Sequence, residues 1–254
     1  MWQRYHARPM SLDVLVWSDD AHARGLPAEA AAHHPYGIAA TIRRGLACVL
    51  GQGVVTTAAA LADDDEGLPS ERLAAADVLV WWAHEGHAAL SDAAAERVCE
   101  HVLGGLGLIV LHSGHNSKVF RRLMGTSCDL NWREGDDREL LWTVATAHPI
   151  AAGVPHPVEL GPHEMYGEPF DIPAPDELVF VSSFTGGEVF RSGCCFVRGH
   201  GRIFFFSPGH ETTGVLANEH VRRVIANAAV WARRPLARSE ARRLGRPSSS
   251  AAGG

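Results

Sequence analysis

Short apolar runs alternate with helical stripes through the first half of the chain. Residues 12–17 form an apolar run that ends in polar residues, the pattern of a buried strand. Residues 35–50 follow with Ile38, Ile42, Leu46 and Val49 on one helical face, and Gly51 ends the stripe. A second strand is predicted over 54–60, an acidic turn with Gly and Pro over 63–70, and a third strand over 77–83. Ser91 is placed to cap a helix over 92–103, closed by Gly104 and Gly105. A fourth strand over 107–112 leads to a short helix that runs through Met124 with Asn116 as its cap. Strand and helix alternate at short intervals, which implies βαβ units and a parallel sheet with helices on both faces.

The second half is richer in strands. Residues 139–146, 178–184, 188–198 and 202–207 carry the pattern, with a turn at Gly186 and Gly187 and a hairpin through Gly199, His200 and Gly201. Residues 219–232 predict a final helix, with Asn218 as N-cap and Val221, Val224, Ile225, Ala228 and Ala229 as its apolar stripe. Residues 235–254 hold Arg, Ser, Ala and Gly with few large apolar side chains, so a disordered tail is expected there. The organisation read from the sequence is a flexible 1–10, one domain over 11–234, and that tail.

The 46% hydrophobic share is enough to bury a sizeable core. A formal charge of -6 argues against a nucleic-acid partner, which needs a basic footprint. Residues 1–10 lead into no signal-peptide apolar region, and no stretch approaches a transmembrane length, so the expected location is the cytoplasm with no membrane partner. Five cysteines in no CxxC spacing read as small buried apolar side chains rather than a disulfide framework or thiolate zinc site. Neither GxGxxG nor a P-loop motif occurs, so no nucleotide cofactor is expected.

The 15 histidines change the picture through their positions. Ligands of open α/β sheets bind beyond the carboxyl ends of the strands. The first strand is followed by Ser18, Asp19 and His22, the third by His84, Glu85 and His87, the fourth by His112, Ser113 and His115, and the strand at 202–207 by Gly209, His210 and Glu211. Two chemistries compete for such an edge: imidazoles with a carboxylate can hold zinc or a similar divalent ion, or they can shuttle protons near neutral pH. Ser113 follows a strand and precedes a helix, but the glycines of a nucleophile elbow are missing, so it is read as a hydrogen-bonding or helix-start residue. Residues 162–169 are densely polar and offer Glu164, Tyr166 and Glu168, either to a site or to a surface loop. Trp17, Trp81 and Trp82 stand near strand ends, where an aromatic face can stack on a sugar, although core packing is expected for at least two of them.

Six segments carry a family resemblance: VWWAH (80–84) with His87, LHSGH (111–115), KVFRRLMG (118–125), EMYGEPFDIP (164–173), GEVFRSG (187–193) and SPGHE (207–211). In this order they resemble the ThuA-like family of bacterial trehalose utilisation. The resemblance implies a flavodoxin-like parallel sheet of the class I glutamine amidotransferase type, with additional strands in the second half. It also implies a place in disaccharide catabolism, with a keto-sugar as substrate class and a sugar oxidoreductase as partner. Three departures stand at the rim. Ser18 and Asp19 replace an Asn-Glu pair although His22 matches, no histidine lies near Ala39 or Ala40, and residues 212–216 lack the family's Tyr-Pro and further histidine. Glutamine hydrolysis is not expected, because Ser113 stands about where that chemistry needs a cysteine.

Taken together, the residues point to His112, Glu164 and His210 for proton transfer. Trp82, His87, Ser113, His115, Tyr166, Glu168 and Glu211 are the expected substrate contacts. His22, His84 and His112 are the expected ligands if a divalent metal such as zinc is bound. The function class is an enzyme acting on a sugar or 3-keto-sugar by isomerase, lyase or hydrolase chemistry. The alternatives are a non-catalytic sugar-binding or regulatory partner of a dehydrogenase, and a metal-dependent hydrolase. A homo-oligomer formed through exposed strands is compatible with the pattern.

Overall fold

The computed structural model describes residues 11–19 and 28–233. Nine strands form one sheet: β1 (Leu12–Ser18), β2 (Val54–Ala60), β3 (Val78–Trp82), β4 (Gly107–Leu111), β5 (Asn131–Thr143), β6 (Val158–Gly167), β7 (Glu177–Phe184), β8 (Val189–Arg198) and β9 (Gly201–Phe206). The helices are α1 (Ala28–His33), α2 (Ile38–Leu50), α3 (Ser70–Ala75), α4 (Asp92–Leu103), α5 (Lys118–Met124) and α6 (Glu219–Ala232). The expected 1–10 segment, His22 and the 235–254 tail lie outside the described residues.

The strand order is β2-β1-β3-β4-β9-β8-β7-β5-β6. The first five strands run parallel, and the order of the first four reverses direction at β1, as in flavodoxin-like sheets. From β9 outward every pairing is antiparallel, so β8, β7, β5 and β6 extend the same sheet as a meander-like wing. The expected parallel sheet, with helices on both faces and additional strands in the second half, is therefore the observed fold. The central strands are buried along their whole length, which is why β3 and β4 read as unbroken apolar runs.

Two cores flank the sheet. On one face α3, α4 and α5 pack Leu73, Val98 and Phe120 against Trp17, Trp81 and Phe205. On the other, α2 and α6 pack Ile42, Leu46, Val224 and Ile225 against Val16, Val80 and Phe204. Phe204, Phe205 and Phe206 are all fully buried, and burial of each stabilises the fold by about 2 kcal/mol. Helix starts are set by short polar side chains: Ser91 accepts from Ala94 N, Ser117 from Phe120 N, and Asn218 from His220 N and Val221 N.

Several boundaries differ from the sequence pattern. The cap of α5 is Ser117, not Asn116, because Asn116 belongs to a 3-10 turn over His112–Asn116. Helix α2 begins at Ile38, and the stretch before it holds Gly37 at φ 84°, which no continuing helix allows. Helices α1 and α3 have six residues each, too short for a periodic stripe to register. Strand β5 starts eight residues before the expected 139, and the tract 162–169, read as either site or loop, falls largely in β6. The early start of β5 escapes the sequence pattern because residues 131–138 are mostly exposed, so no apolar alternation marks them.

Candidate active site

Parallel strands in register end at one level, so the turns after β3, β4 and β9 converge. The first histidine of each turn reaches a common point. The ring centroids of His84, His112 and His210 form a triangle with sides of 5.2, 5.4 and 6.4 Å. The antiparallel wing closes this triangle from the side, where β6 carries Glu164 and Tyr166 to His112.

His112 is the centre of the arrangement and is almost completely buried. Its Nδ1 lies 2.8 Å from the carbonyl oxygen of Ser207. A carbonyl only accepts, so Nδ1 holds a proton, and Nε2 faces the other two partners. Nε2 lies 3.0 Å from Glu164 Oε2 and 3.3 Å from the Tyr166 hydroxyl. Both protonation states are therefore served: a neutral ring accepts from Tyr166, and a protonated ring donates to Glu164. The Tyr166 ring stacks on His112 at 4.8 Å between centroids and 5° between planes. Burial and the adjacent Glu164 carboxylate raise the Tyr166 phenol well above its ordinary value, which keeps it a donor. Burial alone would raise Glu164, but its hydrogen bond with His112 and the surrounding imidazoles hold it below the usual carboxylate value.

The backbone at His112 is unusual. Its φ of 50° lies in the left-handed region, which non-glycine residues rarely adopt. The sequence pattern offers no support for a strained elbow at Ser113, and the left-handed backbone falls one residue earlier, at His112. Ser113 instead donates its hydroxyl proton to Ala83 O at 2.8 Å and ties the β3 and β4 turns together.

His84 and Glu211 form a second pair, with Nδ1 2.5 Å from Oε1. The hydrogen bond that His84 donates to Glu211 outweighs burial and raises His84 above its ordinary value. Burial would raise Glu211, but its hydrogen bond with His84 and the nearby imidazole charges hold it down at about 2. His210 stands between the two pairs. Its Nδ1 accepts from Thr212 N at 3.3 Å and lies 2.8 Å from Thr212 Oγ1, while Nε2 has no partner among the described residues. Burial, then the neighbouring His112, lowers His210 to about 4, so the ring is neutral at pH 7.

His210 and Glu164 open onto a cleft of about 710 Å³, also lined by Glu134, Asp136, Thr212 and Asn218. That volume lies within the roughly 300–1,000 Å³ of small-molecule sites. Glu134 and Asp136 come from the interruption in β5–β6 pairing between Arg133 and Asp137. Sequence reasoning missed both, since only an irregular register turns them toward a cleft; it also missed Thr212, which comes from the turn after β9. Two overlapping groups bring three ligand atoms within 4.8 Å of one another: His84, His210 and Glu211, and His112, Glu164 and His210. Of the ligands expected for a metal, His84 and His112 fall in these groups, and His22 lies outside the described residues.

The other expected contacts fare differently. Trp82 is fully buried, so it offers no face to a sugar; its Nε1 donates to Gly209 O at 3.0 Å and holds the β9 turn. Trp17 and Trp81 stack on each other inside the core at 3.8 Å. Glu168 is engaged by Arg191 through both carboxylate oxygens and by Phe170 N, so it braces β6 against β8 instead of facing the cleft. His115 is buried with Nδ1 2.7 Å from Cys128 O, and burial lowers it to about 4. His87 is partly buried, neither ring nitrogen has a partner among the described residues, and burial lowers it to about 4.

Known proteins agree with this architecture. A ThuA-like protein of Bacteroides uniformis has a TM-score of 0.68 at 15% identity, covering 91% of this chain and 95% of its own. A ThuA-like protein of Parabacteroides merdae gives 0.64 at 14%, covering 87% and 90%. A cytoplasmic protein of Salmonella typhimurium gives 0.60 at 14%, covering 88% and 100%. At such identities the likeness speaks for the fold alone. No curated protein matches the chain. None of the described helices is long and apolar enough to cross a membrane. The ThuA family model, which describes trehalose utilisation, matches residues 13–232, and the chain belongs to that family.

Proposed function

We propose that this protein is an enzyme of carbohydrate catabolism that removes a C–H proton beside the carbonyl of a disaccharide-derived or 3-keto sugar. The supporting observation is His112 Nε2, held between Glu164 and Tyr166 beside the His210 cleft. His112 is the base: Nε2 takes the proton, and the Glu164 carboxylate stabilises the imidazolium. His210 is the electrophile. With Nδ1 accepting from Thr212, Nε2 carries the proton of the neutral ring and donates it to the developing enediolate oxygen. The described lining residues include three carboxylates (Glu134, Asp136 and Glu164) and no Lys or Arg, which suits an uncharged sugar better than a sugar phosphate. A sugar oxidoreductase that supplies the keto group is the natural partner, and a cytoplasmic location fits both.

The test is deuterium incorporation in D₂O at the carbon next to the carbonyl of a 3-keto-disaccharide, followed by NMR. Wild-type protein should catalyse exchange, and His112→Ala and Glu164→Gln should lose at least a hundredfold. Saturable binding without exchange would favour the non-catalytic partner role, and absence of both would sink the proposal.

A second reading is favoured by the two three-ligand groups that share His210. A divalent cation such as zinc would be held by His84, His210 and Glu211, or by His112, Glu164 and His210, and would act as a Lewis acid on a sugar oxygen or on water. It requires the other His210 tautomer, with Nδ1–H donating to Thr212 Oγ1 and Thr212 N losing its acceptor. Elemental analysis separates the two: about one ion per chain, lost in His210→Ala, supports the cation, and activity unchanged by chelation supports the metal-free route.

A further inference from the structure

We infer that Asp19 is a positioning residue, whose carboxylate holds the turn after β3 and thereby aims His84 at Glu211. His84 lies outside regular structure, yet its ring must stay within 2.5 Å of its partner. Asp19 supplies the restraint from the end of the adjacent strand, where Ser18 stands in register with Trp82. One oxygen, Oδ2, accepts from three consecutive backbone N–H groups: His84 at 2.8 Å, Glu85 at 3.1 Å and Gly86 at 2.7 Å. Successive N–H groups that converge in this way make an anion-binding concavity, here filled by a side chain of the same chain. Asp19 is only 3% exposed, so water does not compete for these bonds.

Gly86 completes the fit. A Cβ there would stand 2.6 Å from Asp19 Cβ, so only glycine lets the turn close on the carboxylate. The His84–Glu211 pair bears on the reaction proposed above through His210, whose ring centroid lies 5.4 Å from that of His84; the functional part of the inference rests on that reaction, and the geometry of the clamp does not.

The experiment uses the full chain with ¹⁵N-labelled histidine in chelator-containing buffer. The short His84–Glu211 hydrogen bond should give a low-field Nδ1–H proton resonance, assigned by its loss in Glu211→Gln. Asp19→Ala should lose that resonance while the chain still melts cooperatively, and Asp19→Asn should retain it, since the amide oxygen can accept the same N–H groups. If Asp19→Ala does not fold, Gly86→Ala serves instead, because its methyl displaces the clamp and should abolish the same resonance. Where exchange activity is present, Asp19→Ala should lower kcat at least tenfold with KM within twofold. A resonance that persists in Asp19→Ala or Gly86→Ala, or one missing from the wild type, overturns the inference. Loss of the resonance in a protein that catalyses no exchange would refute the proposed reaction and leave the clamp standing.

Discussion

Replacing His112 by glycine should give a more stable protein than replacing it by alanine. Both substitutions delete the same imidazole, with its hydrogen bond to Ser207 O and its stacking on Tyr166, so those losses cancel in the comparison. What remains is the backbone at φ 50°. A Cβ in that region costs roughly 1–2 kcal/mol, which glycine recovers. Glycine also loses more backbone entropy on folding, by roughly 0.5–1 kcal/mol. The net advantage of His112→Gly is about 1 kcal/mol, or about 2–4 °C in midpoint for a chain of this size. Ser113, whose φ is not positive, serves as the control: there the alanine variant should be the more stable of the two. Urea unfolding of the four variants at pH 7 measures both differences. A His112→Ala variant at least as stable as His112→Gly would refute the strain, and with it the idea that the fold tolerates this backbone for the sake of the side chain.

Acid should destabilise the fold before carboxylate titration is complete. His87, His115 and His210 have folded-state values lowered from 6.5 to about 4. Between those limits the unfolded chain binds protons that the folded chain refuses, so stability falls as pH falls, by up to roughly 4 kcal/mol per unit near pH 5. His84, raised in the fold, is protonated in both states over that window and does not compensate; urea midpoints at pH 7 and pH 5 that coincide would contradict the burial of the three rings. Glu168→Gln should cost about 1–2 kcal/mol through the weakened Arg191 and Phe170 hydrogen bonds. It should leave deuterium exchange near wild type; lost exchange at unchanged stability would instead make Glu168 a substrate contact.

The residues that the sequence exposes best are those whose environment is set by the chain immediately around them. Strands β3 and β4 are fully buried, so their apolar runs and the histidines that follow are visible without any tertiary knowledge. The convergence of His84, His112 and His210 follows from parallel pairing, and a chain of strands and helices already implies it. Glu164 and Tyr166 could be named from their dense polar tract but not placed, because β6 is an edge strand whose partner β5 carries mostly exposed residues at that end. Trp82 and Glu168 show the opposite limit. Their types suit a sugar site, yet the contacts that occupy them, Gly209 O and Arg191, lie 127 and 23 residues away in sequence. Polar or aromatic identity marks a residue as capable of binding, and only packing decides whether its surface is already spent.

The position of the site follows from the change of strand direction within one sheet. Parallel strands bring their carboxyl ends, and hence their loops, to a single edge, but they leave that edge open beyond the last strand. Here the sheet continues from β9 into antiparallel pairing, and its edge strand β6 brings Glu164 and Tyr166 to the same edge. The parallel half therefore supplies the imidazoles and the Ser207 carbonyl that fixes the Nδ1 proton of His112, and the antiparallel half supplies the groups that flank its Nε2. Glu211 comes from the turn after β9, at the seam of the two halves, and it pairs with His84 from two strands away. A site built across such a seam depends on both halves being in register. A change that shifts β6 relative to β5 should then disable His112 while the His84–Glu211 pair, held by Asp19 within the parallel half, remains in place.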